Sequence, residues 1–227
     1  MKQNILRFKF DLKETKDFFC VSEKNYFSYQ VVTSWPNWKN KNVFVYGPSL
    51  SGKTLISEIW QTKSNAVKIN EGFLHNLDTK KNQSLLLKNK CWIIEDLDKI
   101  VNRNPKIVKK ILYFINITNE NKNYLLITSK KTPKGLGIII EDLNSRLSAF
   151  LVSELKQPDE RLLKEIIKKN LENKQISVDE SVLDYLLNHI ERTYSSAWKI
   201  SKKIDKQSLQ EKRKITIQLV KQILYNN

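Results

Sequence analysis

The segment Gly47-Pro48-Ser49-Leu50-Ser51-Gly52-Lys53-Thr54 constrains this chain more than any other stretch. It fits the phosphate-binding pattern G-x-x-x-x-G-K-[ST] in full. It directly follows the apolar run Val43-Phe44-Val45-Tyr46 and precedes a helical pattern that takes in Leu55. The chain holds five glycines in 227 residues, and two of them fall in this window. Glycine suits these positions because the backbone must turn tightly and aim several N–H groups at one anion. Lys53 would neutralise the β- and γ-phosphates of ATP or ADP, and the Thr54 hydroxyl would help hold Mg²⁺. The competing reading is an ordinary strand-to-helix turn with a surface lysine. The strand–loop–helix context that the motif requires is present, so nucleotide binding is the expectation.

Length allows one large core, or a core with a small lid, and is too short for three domains. No apolar run approaches the roughly 18 residues that span a bilayer, so no membrane partner is expected. The first residues carry neither a long apolar stretch nor a small-residue cleavage site, which argues against a secretion signal and for a cytoplasmic protein. Cys20 and Cys91 read as two buried thiols rather than a disulfide, in keeping with a reducing compartment. No His/Cys cluster has metal-ligand spacing, so the one metal expected is the Mg²⁺ that travels with the nucleotide. The net charge of +16 admits nucleic acid as a partner. Against it, the cations are mostly Lys spread evenly along a Lys-, Asn- and Ile-rich chain, and Arg, the bidentate reader of bases and phosphates, is scarce. Direct DNA binding stays open.

Strand patterns over 43–46, 66–69, 91–94, 124–128 and 149–152 alternate with helical patterns over 54–62 and 105–118, where Pro105 suits the first helical position. Alternation of this kind predicts an α/β core, a parallel sheet flanked by helices. From Pro158 on the period is helical throughout. Leu162, Leu163, Ile166 and Ile167 form one stripe, and Val182, Leu183, Leu186, Leu187 and Ile190 form the next, opened by a capping box of Ser177 and Glu180. Two more helices are expected at 194–210 and 216–225. The expected division is an N-terminal tail (1–16), a nucleotide-binding domain (17–155) and an all-helical lid (156–227).

Three further motifs carry chemistry. Trp92-Ile93-Ile94-Glu95-Asp96-Leu97-Asp98 is an apolar strand ending in carboxylates, the Walker B arrangement. Glu95 would reach the Mg²⁺ shell beside Thr54, and Asp96 would polarise an attacking water. Thr128-Ser129 ends the next strand, where Thr128 could sense the γ-phosphate. Asn144-Ser145-Arg146 sits between a loop and the last strand, where Arg146 could act as an arginine finger across a subunit boundary. Taken singly, Arg146 is a surface cation and Thr128 a polar strand end.

In this order, the phosphate loop, IIEDLD, LLITSKKTP, LNSRL and a helical lid resemble the AAA+ domain of the DnaA family, and within it the short Hda group. DFFCVSEKN (17–25) and WPNWKNKNVFVYGP (35–48) are similar to the approach to that fold, and HIERTYSSAWKISKKID (189–205) with KRKITIQLVKQIL (212–224) to its lid. The resemblance implies an AAA+ P-loop core with a C-terminal helical lid, and an adenine wrapped by the chain around Phe18 and Val21. It also implies regulatory inactivation of the DnaA initiator, whose bound ATP is hydrolysed with Arg146 as finger. The tail Gln3-Asn4-Ile5-Leu6-Arg7-Phe8 fits Q-x-x-L-x-[FL], the peptide that docks into the DNA polymerase sliding clamp. Leu6 and Phe8 would fill the clamp's pocket while Gln3 bonds at its rim. An unremarkable amphipathic terminus is the alternative. DNA, and the nucleoid, would then be met indirectly through the clamp; a homodimer is a further open assembly.

The departures from the family are Glu95 where Asp is usual, Lys130 where the initiator has an acid, and Ser195 at the lid position of the sensor Arg. Arg192, one turn earlier, is the candidate substitute. Together they suggest a chain that holds nucleotide, ADP at rest, with weak turnover of its own. The rival readings are a DnaA-like DNA-binding initiator or helicase-loader ATPase, and a small-molecule P-loop kinase.

Overall fold

Val43, Phe44 and Val45 are all shielded from water, and a strand that is apolar on both faces has to lie inside a sheet covered on both sides. The computed structural model, which describes residues 19–211 and 214–225, places them so. Their strand, β1 (Asn42–Tyr46), follows helix α1 (Tyr26–Thr33) and runs into α2 (Lys53–Ser64). Then come β2 (Val67–Ile69), α3 (Glu71–His75), α4 (Lys80–Lys88), β3 (Cys91–Ile94) and α5 (Leu97–Arg103). A 3₁₀ turn (Pro105–Ile107) leads into α6 (Val108–Glu120), followed by β4 (Tyr124–Ser129), α7 (Glu141–Ser148) and β5 (Leu151–Glu154). The strand order is β2-β3-β4-β1-β5, and every pairing is parallel. Parallel pairs need crossovers, which is what the intervening helices supply.

The two faces of the sheet bury separate cores. On one, α5, α6 and α7 pack Leu97, Ile111 and Leu143 around Trp92, whose ring meets Phe114 edge-on at 5.6 Å. On the other, α1 and α2 cover Val43 and Val45, and Trp60 stacks on Trp38 at 4.8 Å. Four more helices follow: α8 (Glu160–Glu172), α9 (Glu180–His189), α10 (Tyr194–Glu211) and α11 (Ile217–Tyr225). They close over a third core that includes Leu163, Leu183, Leu186, Ile200 and Leu219. The α/β core with a C-terminal helical unit is the architecture the sequence predicts.

Several local expectations are corrected. The last strand starts at Leu151, not Ala149, because α7 runs through Ser148 and the Ala149 N–H still caps it on the carbonyls of Ser145 and Arg146. Asn144, Ser145 and Arg146 are therefore helical rather than a loop before a strand. Pro105 opens a 3₁₀ turn and not the α-helix itself. The cap of α9 is Asp179 without a side-chain bond, so Ser177 and Glu180 form no capping box there. Both cysteines are free, with Cys91 buried and its thiol pushed up to about 11 by burial, whereas Cys20 is half-buried. Among the described residues no helix is long and apolar enough to cross a membrane.

Candidate nucleotide site

The register of the sheet brings the motifs together. Tyr46 pairs with Ser129 and Ile94 with Ile127, so the loop after β1, the carboxylates after β3 and Thr128 on β4 all meet at the C-terminal ends of adjacent strands. That edge, where strand order reverses about β1, is where open α/β sheets bind ligands. The Gly47 N–H donates to the Ser129 carbonyl at 3.2 Å, and a Cβ on Gly47 would lie 2.6 Å from the Leu155 carbonyl oxygen. Gly52 has φ +93°, and a Cβ there would meet the Phe19 ring at 2.9 Å. Leu50 is also left-handed, at φ 65°, a strained conformation for a branched residue.

Behind this loop α2 starts at Lys53, so its first N–H groups and the positive end of its dipole face the loop's mouth. Lys53 is only 8% exposed, and its ammonium donates to the carbonyls of Gly47 (2.9 Å) and Pro48 (2.7 Å). Burial lowers its pKa, while Asp96 and Asp98 pull the other way. The buried Ser51 hydroxyl has no protein partner among the described residues, and a phosphate oxygen is the chemistry that would satisfy it. A cavity of about 140 Å³ adjoins the loop, lined by Leu50, Gly52 and Leu55 below, Phe19 at the side, and Tyr194 and Trp198 of α10 above. Pro48, Ser49 and Thr54 complete the loop, with Thr54 exposed in the first turn of α2. Val21 lines a neighbouring groove of about 740 Å³ against α8. Phe18 lies outside the described residues, as do Gln3, Leu6 and Phe8; Phe19, stacked on Tyr29 at 5.9 Å, is the aromatic that reaches the loop.

Glu95 and Asp96 each stand against a lysine, and Glu95 shares its lysine with Glu58. Glu95 Oε1 accepts from the Ser57 hydroxyl and lies 3.2 Å from the Lys68 ammonium, both side chains being 30% exposed. Asp96 Oδ2 pairs with Lys99 Nζ at 2.6 Å, and the Asp96 N–H donates to Thr128 Oγ1 at 3.1 Å. Asp98, buried at 6% exposed, accepts from the Ser129 hydroxyl (3.2 Å) and the Lys130 N–H (2.8 Å), which fixes the turn after β4. The donors for a nucleotide-bound Mg²⁺ would be Thr54 and Glu95. Glu95 is drawn to Ser57 and Lys68, and among the described residues no group of three or more His, Cys, Asp or Glu side chains is placed to hold a metal ion.

Two residues lie apart from this cluster. Arg146 is in the last turn of α7, which carries the chain back to the start of β5, the opposite end of the sheet from the phosphate loop. Its Nε donates to Asp142 Oδ1 at 3.0 Å on the helix surface. Arg192 pairs with Glu160 at 2.7 Å, exposed and outside the residues that line the cavity. Ser195 does not line it either; Tyr194 and Trp198 do, and the Tyr194 hydroxyl donates to the Lys156 carbonyl at 2.9 Å, tying α10 to the linker. Phe19, Lys68, Asp98, Lys99 and Trp198 were not singled out from sequence. The one local signal was Tyr194 and Trp198, aromatics spaced one helical turn apart.

Trp198 gives an early check. It is 46% exposed at the cavity, whereas Trp38, Trp60 and Trp92 are buried. Adding ADP is expected to change the tryptophan emission, and Trp198→Phe to remove that change while binding persists by calorimetry. An undiminished signal from Trp198→Phe would move the nucleotide away from α10.

Residues 159–224 match the family described as "Hda, lid domain". The chromosomal replication initiator protein DnaA of Wolinella succinogenes is 24% identical over 225 residues, covering 92% of this chain and 52% of that protein. This chain therefore spans about half the length of that relative. The fold is similar to domain III of the Thermotoga maritima replication initiation protein DnaA, with a TM-score of 0.77 at 19% identity, covering 92% of this chain and 95% of the other. It is also similar to AMPPCP-bound DnaA from Aquifex aeolicus, with a TM-score of 0.71 at 18% identity, covering 92% and 70%.

Proposed function

This chain is an Hda/DnaA-family AAA+ protein, and from that premise we propose that it inactivates the replication initiator DnaA by stimulating hydrolysis of DnaA-bound ATP. The observation that carries this reading is the placement of Arg146. It stands on the surface of α7, at the far end of the sheet from its own phosphate loop, so a guanidinium there serves a nucleotide held by another subunit. Its present partner is the exposed Asp142 one turn back, a contact worth about 0.3–0.5 kcal/mol, so release toward a phosphate costs little. Packed head-to-tail against ATP-bound DnaA, Arg146 would meet the charge that develops on the transferred phosphoryl group.

The chain's own site serves to hold nucleotide. Gly47 to Leu55 cradle the phosphates, Phe19 and Val21 flank the base, and α10 closes from above. Asp96, held by Lys99, is a poor activator of water, which fits slow turnover and retained ADP. The tail motif Gln3, Leu6 and Phe8 would tether the protein to the DNA-loaded sliding clamp and so to the nucleoid. A homodimer built head-to-tail would use the same α7 surface.

The test mixes the protein with ATP-loaded DnaA and DNA-loaded clamp and follows ATP becoming ADP. Clamp-dependent acceleration is expected. Replacing Leu6 and Phe8 by Ala should remove clamp binding, and unchanged clamp affinity would reduce the motif to coincidence. The net charge of +16 favours a second reading, a DNA-binding initiator or loader. Tight, salt-dependent DNA binding without clamp, and no effect on DnaA, would put that reading first.

A further inference from the structure

We propose that Lys68 does the work that Mg²⁺ does in related nucleotide sites, so that this chain binds ADP without a divalent cation. The inference rests on the nucleotide reading above and concerns how that site is neutralised. In a P-loop site a carboxylate stands close to the phosphates, and the two repel unless a cation lies between them. Here the carboxylate is Glu95, and a cation already stands against it. Lys68 Nζ lies 3.2 Å from Glu95 Oε1 and 3.9 Å from Glu58 Oε1, and the Ser57 hydroxyl reaches the same Glu95 oxygen. The Ser57 hydroxyl oxygen also lies 2.8 Å from the Thr54 carbonyl oxygen, which places this cluster one helical turn from the loop. The extra methylene of Glu95 lets its carboxylate reach past Thr54 to Ser57 and Lys68.

The remaining charges follow the same logic. Asp96 is answered by Lys99 at 2.6 Å, and Lys99 and Lys130 lie near enough to Lys53 to disfavour its charge. Lys99 and Lys130 thus stand near Lys53 at the loop, while Lys68, on β2, answers Glu95 from the far side of Ser57, so both Walker B acids are already paired. Lys68 is 30% exposed and sits on the edge strand β2, so its pairing with Glu95 is a local electrostatic device and not a core requirement.

The experiment measures ADP affinity by calorimetry in Mg²⁺ and again in excess EDTA, for the wild-type chain, Lys68→Met and Lys53→Ala. Wild type is expected to bind alike in both buffers. Lys68→Met, keeping the length of the side chain without the charge, should lose affinity in EDTA by about tenfold or more and recover it with Mg²⁺. Lys68→Met/Glu95→Gln, with neither charge, should again ignore the metal, which separates charge balance from damage to the fold. Lys53→Ala should bind poorly in both buffers. A tenfold loss for wild type in EDTA, or a Lys68→Met chain as indifferent to metal as wild type, would overturn the inference while leaving nucleotide binding intact. No ADP binding by wild type in either buffer would remove the nucleotide reading, and this inference with it.

Discussion

Arg146→Ala is expected to abolish acceleration of DnaA-bound ATP hydrolysis, a loss on the order of 10³ or more, since a trans-acting arginine supplies that much in related phosphoryl transfers. The same variant should bind ADP and the clamp as wild type does. The physical ground for this separation lies on α7. Leu143 and Leu147 are fully buried and hold the helix to the sheet, while Arg146 faces solvent and contacts only its neighbour Asp142 among the bonds described. Truncating Arg146 therefore removes a surface ion pair, a change of about 0.5 kcal/mol in stability at most. Arg146→Lys should also fail, because an ammonium cannot offer the forked pair of N–H groups that grips a planar set of phosphate oxygens. Asp142→Ala should be active, since it frees the guanidinium. A single-turnover assay with labelled ATP on DnaA reads all three. Full stimulation by Arg146→Ala would take Arg146 out of the reaction and leave the lid or the clamp tether to explain any effect.

The turn from β1 into α2 could be read in advance because its pattern is local: two glycines, a lysine and a threonine at fixed spacing. Strands β1, β3 and β4 were legible for a related reason, as short continuous apolar runs that only a doubly covered sheet accommodates. The lid helices declared themselves through their stripes. What escaped was either short or non-local. Helix α7 buries Leu143 and Leu147 alone among its eight residues, too thin a stripe to distinguish from a loop, and so the apolar pattern starts the last strand two residues early. Helices α1, α3, α4 and α5 are similarly brief. The lysine partners of Glu95 and Asp96 divide along the same line. Lys99 is three residues from Asp96 on the next helix, but Lys68 reaches Glu95 from a different strand, a contact that only the β2-β3 pairing creates. Asp98 was visible as one more acid in a row; its burial, and its grip on Ser129 and Lys130, follow from β3 and β4 lying side by side.

A comparison of two glycines tests whether the loop is a phosphate cradle or merely a turn. Gly52 and Gly137 both have positive φ, +93° and +67°, so Ala at either position carries backbone strain, about 1–2 kcal/mol. Their surroundings differ. A Cβ at Gly137 meets nothing within 4 Å, whereas one at Gly52 lies 2.9 Å from Cε2 and 3.3 Å from Cδ2 of Phe19. Phe19 is stacked on Tyr29 on one side and lines the cavity on the other, so the open direction for its ring is into the cavity. Gly52→Ala must therefore either push Phe19 out of the cavity wall or unwind the start of α2. Both movements displace the N–H groups around Lys53, and losing two charge-assisted hydrogen bonds to phosphate, each about 1.5–3 kcal/mol, weakens ADP by about 10²- to 10⁴-fold. Gly137→Ala should show the strain alone, a lower melting temperature with ADP affinity unchanged. Thermal unfolding with and without ADP reads both terms at once. Gly52→Ala should melt early and gain nothing from ADP, while Gly137→Ala should melt early and be rescued by it. If Gly52→Ala were rescued as fully as Gly137→Ala, the phosphates would not lie against this loop, and Lys53, Ser51 and the start of α2 would have to be read as structure alone.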